Sequence, residues 1–131
     1  TDERMTRFWI TLQQGVQFVI RCLAEMQGGE VFVPKIPSMK IIDLAKIIAP
    51  ESEMEIIGIR PGEKIHELLI SKDEARLALD VEDMYVILPA NPQFKAPDWS
   101  HGKDAPEGFE YTSENNTQWL TENEILQMVK G

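Results

Sequence analysis

Helix-length and strand-length apolar patterns alternate through the first sixty residues, and glycine or proline cuts each one off. That alternation restricts the chain to an α/β class of fold. After an extended or loop segment over residues 4–10, Leu12, Val16, Val19, Ile20 and Leu23 recur at helical spacing. Thr11 and Gln14 stand in front of them as a capping-box pair. Gly28-Gly29 closes the pattern as a C-terminal glycine does, so the spacing predicts a helix over residues 11–26. Glu30-Val31-Phe32-Val33 is a β-prone run ended by Pro34 and Pro37. Ser38 is expected to cap a second helix carrying Ile41, Leu44, Ala45, Ile47 and Ile48, which Pro50 stops. Residues 55–59, with Ile56-Ile57-Gly58-Ile59, read as a buried strand. Helix–strand–helix–strand is the order of a parallel α/β unit. The expectation is a small, mostly parallel sheet of two to four strands with three or four helices.

Beyond residue 60 the pattern weakens. Ile65, Leu68 and Leu69 fit either a short helix or an extended segment. Ser71 and Glu74 form another capping box, predicting a brief helix over 72–79, and Tyr85-Val86-Ile87-Leu88 is strand-like. Four prolines (Pro89, Pro92, Pro97 and Pro106) mark 89–108 as a proline-rich, exposed loop. Thr121 and Glu124 then cap a closing helix that carries Ile125, Leu126 and Val129. With 131 residues, one domain spanning 1–131 is expected.

The net charge of −9 argues against a general nucleic-acid binder and against binding to an anionic membrane. Cys22 is the only cysteine, which excludes an intramolecular disulfide and a cysteine-type zinc site and fits a cytoplasmic compartment. No apolar run reaches membrane-spanning length, and no secretory leader is visible. The opening Thr1-Asp2-Glu3, without methionine, suggests a piece of a longer protein.

Chemistry concentrates at Arg60-Pro61-Gly62-Glu63-Lys64. Pro61 fixes φ and Gly62 permits positive φ, so a turn is expected. At the end of a strand in an open α/β sheet such a turn lies where ligands bind. It would present Arg60, Glu63 and Lys64 together. The arginine fork suits a diphosphate, and a carboxylate suits ribose hydroxyls. Arg7, in Met5-Thr6-Arg7-Phe8-Trp9, is a second arginine able to close on the same anion. Composition alone favours a solvated turn with a surface salt bridge. His66 is expected to pack beneath the turn or hydrogen-bond it, rather than act as a general base. With His101 it offers too few ligands for a metal site. Asp80, Glu82 and Asp83 read as a solvated loop face, Trp9, Trp99 and Trp119 as packing residues, and Trp119 as the anchor of the tail. A glycine-rich dinucleotide loop, a Tyr-x-x-x-Lys pair and a Gly-x-Ser-x-Gly elbow are all missing. No catalytic residue is assigned.

Three blocks carry a resemblance: residues 5–11 (Met-Thr-Arg-Phe-Trp-Ile-Thr), 28–39 (Gly-Gly-Glu-Val-Phe-Val-Pro-Lys-Ile-Pro-Ser-Met) and 59–67 (Ile-Arg-Pro-Gly-Glu-Lys-Ile-His-Glu). Together with 107–113 and 116–120 they resemble the inverting UDP-N-acetylglucosamine 4,6-dehydratases. These are extended short-chain dehydrogenase/reductases that begin pseudaminic acid and related sugar synthesis. The resemblance implies the C-terminal, substrate-binding part of such an enzyme, with the NADP-binding Rossmann half and its catalytic Tyr-x-x-x-Lys missing. It implies that Arg7 and Arg60 contact the diphosphate of a UDP-sugar and that Glu63 holds the uridine ribose hydroxyls. It gives Lys64 and His66 supporting roles and leaves 92–106 without one. NADP belongs to the complete enzyme, not to this chain. The partner would be the missing Rossmann half, or a second copy meeting it through exposed apolar surface. A stand-alone binding or assembly domain, without catalysis, is the competing expectation.

Overall fold

The computed structural model describes residues 2–91 and 98–130. Its elements run β1 (Thr6–Phe8), α1 (Leu12–Glu25), β2 (Val31–Pro34), β3 (Ser38–Lys40), α2 (Ile41–Ile48) and β4 (Leu68–Ile70). A 3₁₀ turn (Glu74–Leu77) follows, then β5 (Ala78–Val81), β6 (Met84–Ile87), β7 (Lys103–Asp104), β8 (Tyr111–Thr112) and α3 (Glu122–Lys130). This is a mixed α/β fold with three helices and small sheets, as expected. The chain divides into two compact units. One comprises Thr1–Thr11, Ile36–Leu68 and Thr112–Gly131; the other comprises Leu12–Lys35 and Leu69–Tyr111.

In the first unit β1 pairs antiparallel with β3, matching Thr6 with Lys40, Arg7 with Met39 and Phe8 with Ser38. The segment after the Arg60 turn also joins β1, because the Thr6 amide donates to the Ile65 carbonyl at 3.0 Å. The tail lies along β3: the Ser38 amide donates to the Gln118 carbonyl, and the Leu120 amide donates to the Ser38 carbonyl, both at 2.9 Å. These backbone bonds anchor the tail, while Trp119 stays 41% exposed. Helices α2 and α3 pack together. Met5, Met39 and Ile125 are buried here, alongside the polar Thr6, Ser38 and Ser113.

The second unit is built on an antiparallel sheet in the order β2-β6-β5-β7. Met84 and Val86, two residues apart, are fully buried and share a core with Val81 and Trp99, against which Phe18, Phe32, Leu79 and Leu88 pack. The Trp99 ring meets Phe32 edge-on at 5.7 Å, and its indole N–H donates to Glu30 Oε1. The Glu30 carboxylate also accepts the amides of Gln27 and Gly28, which fixes the chain where α1 ends.

Several sequence expectations are corrected. The sheets are not mostly parallel; the ladders β1–β3, β2–β6, β5–β6 and β5–β7 are all antiparallel, and Ser38 makes an isolated parallel bridge with Trp119. The reason lies at residues 56–59, which form no strand. Gly58 sits at φ +79°, which breaks an extended run, and Ile57 is 61% exposed. Without that strand the parallel unit cannot close, and β2 pairs with β6 instead. Ser38 does not cap α2; it lies in β3 and its hydroxyl accepts from Asn116 Nδ2 at 3.0 Å. The N-cap is Lys40, with no side-chain cap. Part of the proline-rich stretch, 92–97, lies outside the described residues. The remainder is not simply an exposed loop, since Trp99 is core and β7 joins the sheet. Asp80 and Asp83 are not merely solvated: Lys35 bonds Asp80 at 2.6 Å, and Arg21 bonds Asp83 at 2.6 Å. The open choice at Leu68 and Leu69 resolves as extended.

Candidate functional site

Residues 60–63 form the expected turn. The Glu63 amide donates to the Arg60 carbonyl at 3.0 Å, Pro61 occupies the second position, and Gly62 takes φ +83° at the third. That is the arrangement a type II turn requires. Glu63 closes it a second time, because its Oε2 accepts the Arg60 amide at 3.0 Å. One carboxylate oxygen therefore shapes the turn, and the other has no hydrogen-bond partner among the described residues. The Arg60 guanidinium likewise has no hydrogen-bond or ion-pair partner among the described residues, and the residue is exposed. Lys64 is exposed beside it.

Arg7 is placed differently. Its Nη1 donates to the carbonyls of Thr6 at 2.7 Å and Ile65 at 3.1 Å, and its Nη2 donates to the Lys64 carbonyl at 2.9 Å. Two of the five guanidinium hydrogens thus hold the segment that follows the turn and a third holds Thr6 of β1, leaving the Nε–H, which faces Glu67, and one Nη2 hydrogen. Glu67 Oε1 lies 3.9 Å from Nε, and Oε2 accepts the Phe8 amide at 2.8 Å. Arg7 and Glu67 together lash residues 64–67 to β1. The structure thus places Arg7 beneath the segment and Arg60 on the turn, with Glu63 tied back to Arg60.

Below the turn lies a polar chain that the sequence did not disclose. The Glu67 amide donates to Ser113 Oγ at 2.9 Å, Ser113 Oγ lies 2.6 Å from Thr6 Oγ1, and Thr6 Oγ1 lies 2.7 Å from His66 Nδ1. The far nitrogen of His66 faces Glu114 Oε2 at 3.5 Å. His66 is therefore hydrogen-bonded to Thr6 of β1 and not to the turn itself. Thr6 and Ser113 are 107 positions apart, so no local spacing signals their meeting.

A separate concavity in the same unit is lined by Ile41, Ile42, Ala45 and Met54 together with Asp2, Glu3 and Glu55. Its three carboxylates carry the wrong sign for an anion. No three-residue group of metal-ligating side chains occurs among the described residues. A dinucleotide does not fit these residues either. Gly28-Gly29 follows the C-terminal end of α1, where the helix dipole repels phosphate, and Gly58 and Gly62 open no helix. Among the described residues no helix is long and apolar enough to cross a membrane.

The sequence profile described as "Polysaccharide biosynthesis protein" matches residues 1–89. The chain belongs to that family. It is 47% identical, over 98% of its length, to the UDP-N-acetylglucosamine 4,6-dehydratase (inverting) of Campylobacter jejuni, of which it covers 41%. It is 32% identical, over 98% of its length, to the UDP-glucose 4-epimerase of Rickettsia massiliae, of which it covers 39%. Among solved structures, Pen from Bacillus thuringiensis superimposes with a TM-score of 0.79 at 30% identity. That match covers 99% of this chain and 40% of Pen. This member of the polysaccharide biosynthesis family thus spans about two fifths of the length of these relatives.

Proposed function

We propose that this chain is the nucleotide-binding, C-terminal part of a UDP-N-acetylglucosamine 4,6-dehydratase of bacterial surface-sugar synthesis, inactive without an NADP-binding half. The observation that carries the reading is the Arg60 turn. A doubly closed loop projects an unpartnered guanidinium next to a carboxylate that still has one oxygen to offer. Arg60 grips the diphosphate, because its fork matches paired phosphate oxygens. Glu63 accepts from the ribose hydroxyls through the oxygen not committed to the turn. Arg7 reaches the diphosphate with its remaining Nη2 hydrogen while others hold the carbonyls of Thr6, Lys64 and Ile65. These residues bind and orient; none of them is assigned a step of the chemistry.

Calorimetric titration of the chain with UDP, with uridine as control, tests this. UDP is expected to bind, uridine to bind much more weakly, and Arg60→Ala to weaken UDP about tenfold or more, the worth of a charge-assisted hydrogen bond. Unchanged UDP affinity in Arg60→Ala would sink the assignment of Arg60. A folded chain that ignores UDP would remove the nucleotide reading for this chain.

A second reading, an assembly domain without catalysis, is favoured by one feature. Leu12, Val16, Val19, Ile20, Leu23 and Met26 on and beside α1 are all at least half exposed, Leu12 by 86%. Phe18 of the same helix packs on the core. A helix apolar on both sides needs a second cover.

A further inference from the structure

The polar chain under the turn has a direction. Ser113 Oγ already accepts the Glu67 amide, so its hydroxyl hydrogen needs another acceptor, and the one within reach is Thr6 Oγ1 at 2.6 Å. Having accepted there, Thr6 sends its own hydrogen to His66 Nδ1 at 2.7 Å. Every hydrogen is placed only if Nδ1 carries a lone pair, which puts the ring proton on Nε2, facing Glu114. Ser113 is fully buried and Thr6 is 3% exposed, so water cannot substitute. A second proton on the ring reverses the chain. Nδ1 then donates to Thr6, Thr6 turns to Ser113, and the Ser113 hydrogen loses its acceptor in a dry place.

We propose that His66 is a positioning residue: while Nδ1 is unprotonated it keeps residues 64–67 seated on β1, and its protonation loosens that seat. The seat carries the Lys64 and Ile65 carbonyls that Arg7 holds and adjoins the turn of Arg60 and Glu63. The charged groups around His66 are Glu114 at its outer nitrogen, Glu67 next in the chain, and Arg7, which lies 3.9 Å from Glu67. The consequence for ligand affinity rests on the nucleotide reading above; the consequence for the seat does not.

Two measurements on the full chain address the seat. Nitrogen-15 NMR at pH 7.5 is expected to show His66 Nδ1 without a proton. The hydrogen-exchange protection factor of the Glu67 amide is expected to fall about tenfold between pH 7.5 and 5.5, the equivalent of one orphaned buried hydroxyl. In His66→Asn, whose side-chain oxygen offers Thr6 an acceptor that does not titrate, that protection should stay flat. The variant retains His101, so the difference isolates His66. A protonated Nδ1 at pH 7.5, or a pH-independent protection factor in the wild-type chain, overturns the proposal even if the variant does not fold. UDP affinity is the third arm. It should weaken more towards pH 5.5 in the wild-type chain than in His66→Asn, and superimposable profiles would also count against the proposal. If UDP does not bind at any pH, the nucleotide reading falls, and the seat is judged on the first two measurements.

Discussion

Glu82 is the one residue other than glycine held at positive φ among the described residues, at 50°. It sits in the two-residue turn between β5 and β6, where Val81 pairs with Met84. A side chain there costs conformational energy that glycine avoids. Its carbonyl, not its carboxylate, accepts Lys35 Nζ at 2.7 Å, and that contact survives substitution. Glu82→Gly is therefore expected to stabilise the chain by about 0.5–1 kcal/mol. Urea unfolding checks this, and a loss of stability would show that the carboxylate matters. At this scale the sequence was a good guide to the turn of residues 60–63, because proline and glycine declare backbone angles directly. It was silent on Thr6 and Ser113, which acquire their roles only when distant segments meet.

Among elements, those announced by local chemistry were legible. The Ser71–Glu74 and Thr121–Glu124 boxes both form, with the hydroxyls donating to the carboxylates at 2.7 Å. The first opens only the 3₁₀ turn Glu74–Leu77 and not the expected helix over 72–79, because Ala78 and Leu79 pair with β6 in β5. The spacing that predicted residues 11–26 gave α1 over Leu12–Glu25. Strands were harder, since an apolar run says nothing about whether an edge is available to pair with. Residues 56–59 have the composition of a strand and no partner, whereas the two-residue β7 pairs with β5 despite lying in a proline-rich stretch. Thr121→Ala should lower the thermal midpoint by about 4 °C through loss of the α3 cap. Circular dichroism melting measures it, and an unchanged midpoint would show that packing of α3 on α2 carries the helix unaided.

For the whole molecule, acid and concentration are the informative variables. Burial pushes the Glu30 carboxyl up, but the amides of Gln27 and Gly28 and the Trp99 indole outweigh it and hold the group below its ordinary 4.5. Hydrogen bonds from Arg21 hold Asp83 below 3.8. Both groups are depressed in the folded state, so their contribution is complete above about pH 4.5 and drains away as pH falls through the folded values. Urea midpoints are expected to be level with respect to these groups from pH 7 to 5 and to drop below pH 4; a rise on acidification would contradict the sign. The exposed face of α1 predicts that sedimentation velocity will show mass increasing with concentration, and that Ile20→Glu with Leu23→Glu will abolish the increase. A monomer at all concentrations would leave that face unexplained.

The chain crosses between its two compact units at residues 11/12, 35/36, 68/69 and 111/112. Neither unit is a continuous piece of sequence, so no single protease cut or gene truncation can release one intact. During synthesis, Thr6 leaves the ribosome long before Ser113, and the first unit must wait for residues 112 onward before its buried hydroxyls find each other. Such distant closures slow folding, and a growing chain of this kind holds β1 unfinished until residues 112 onward have been made.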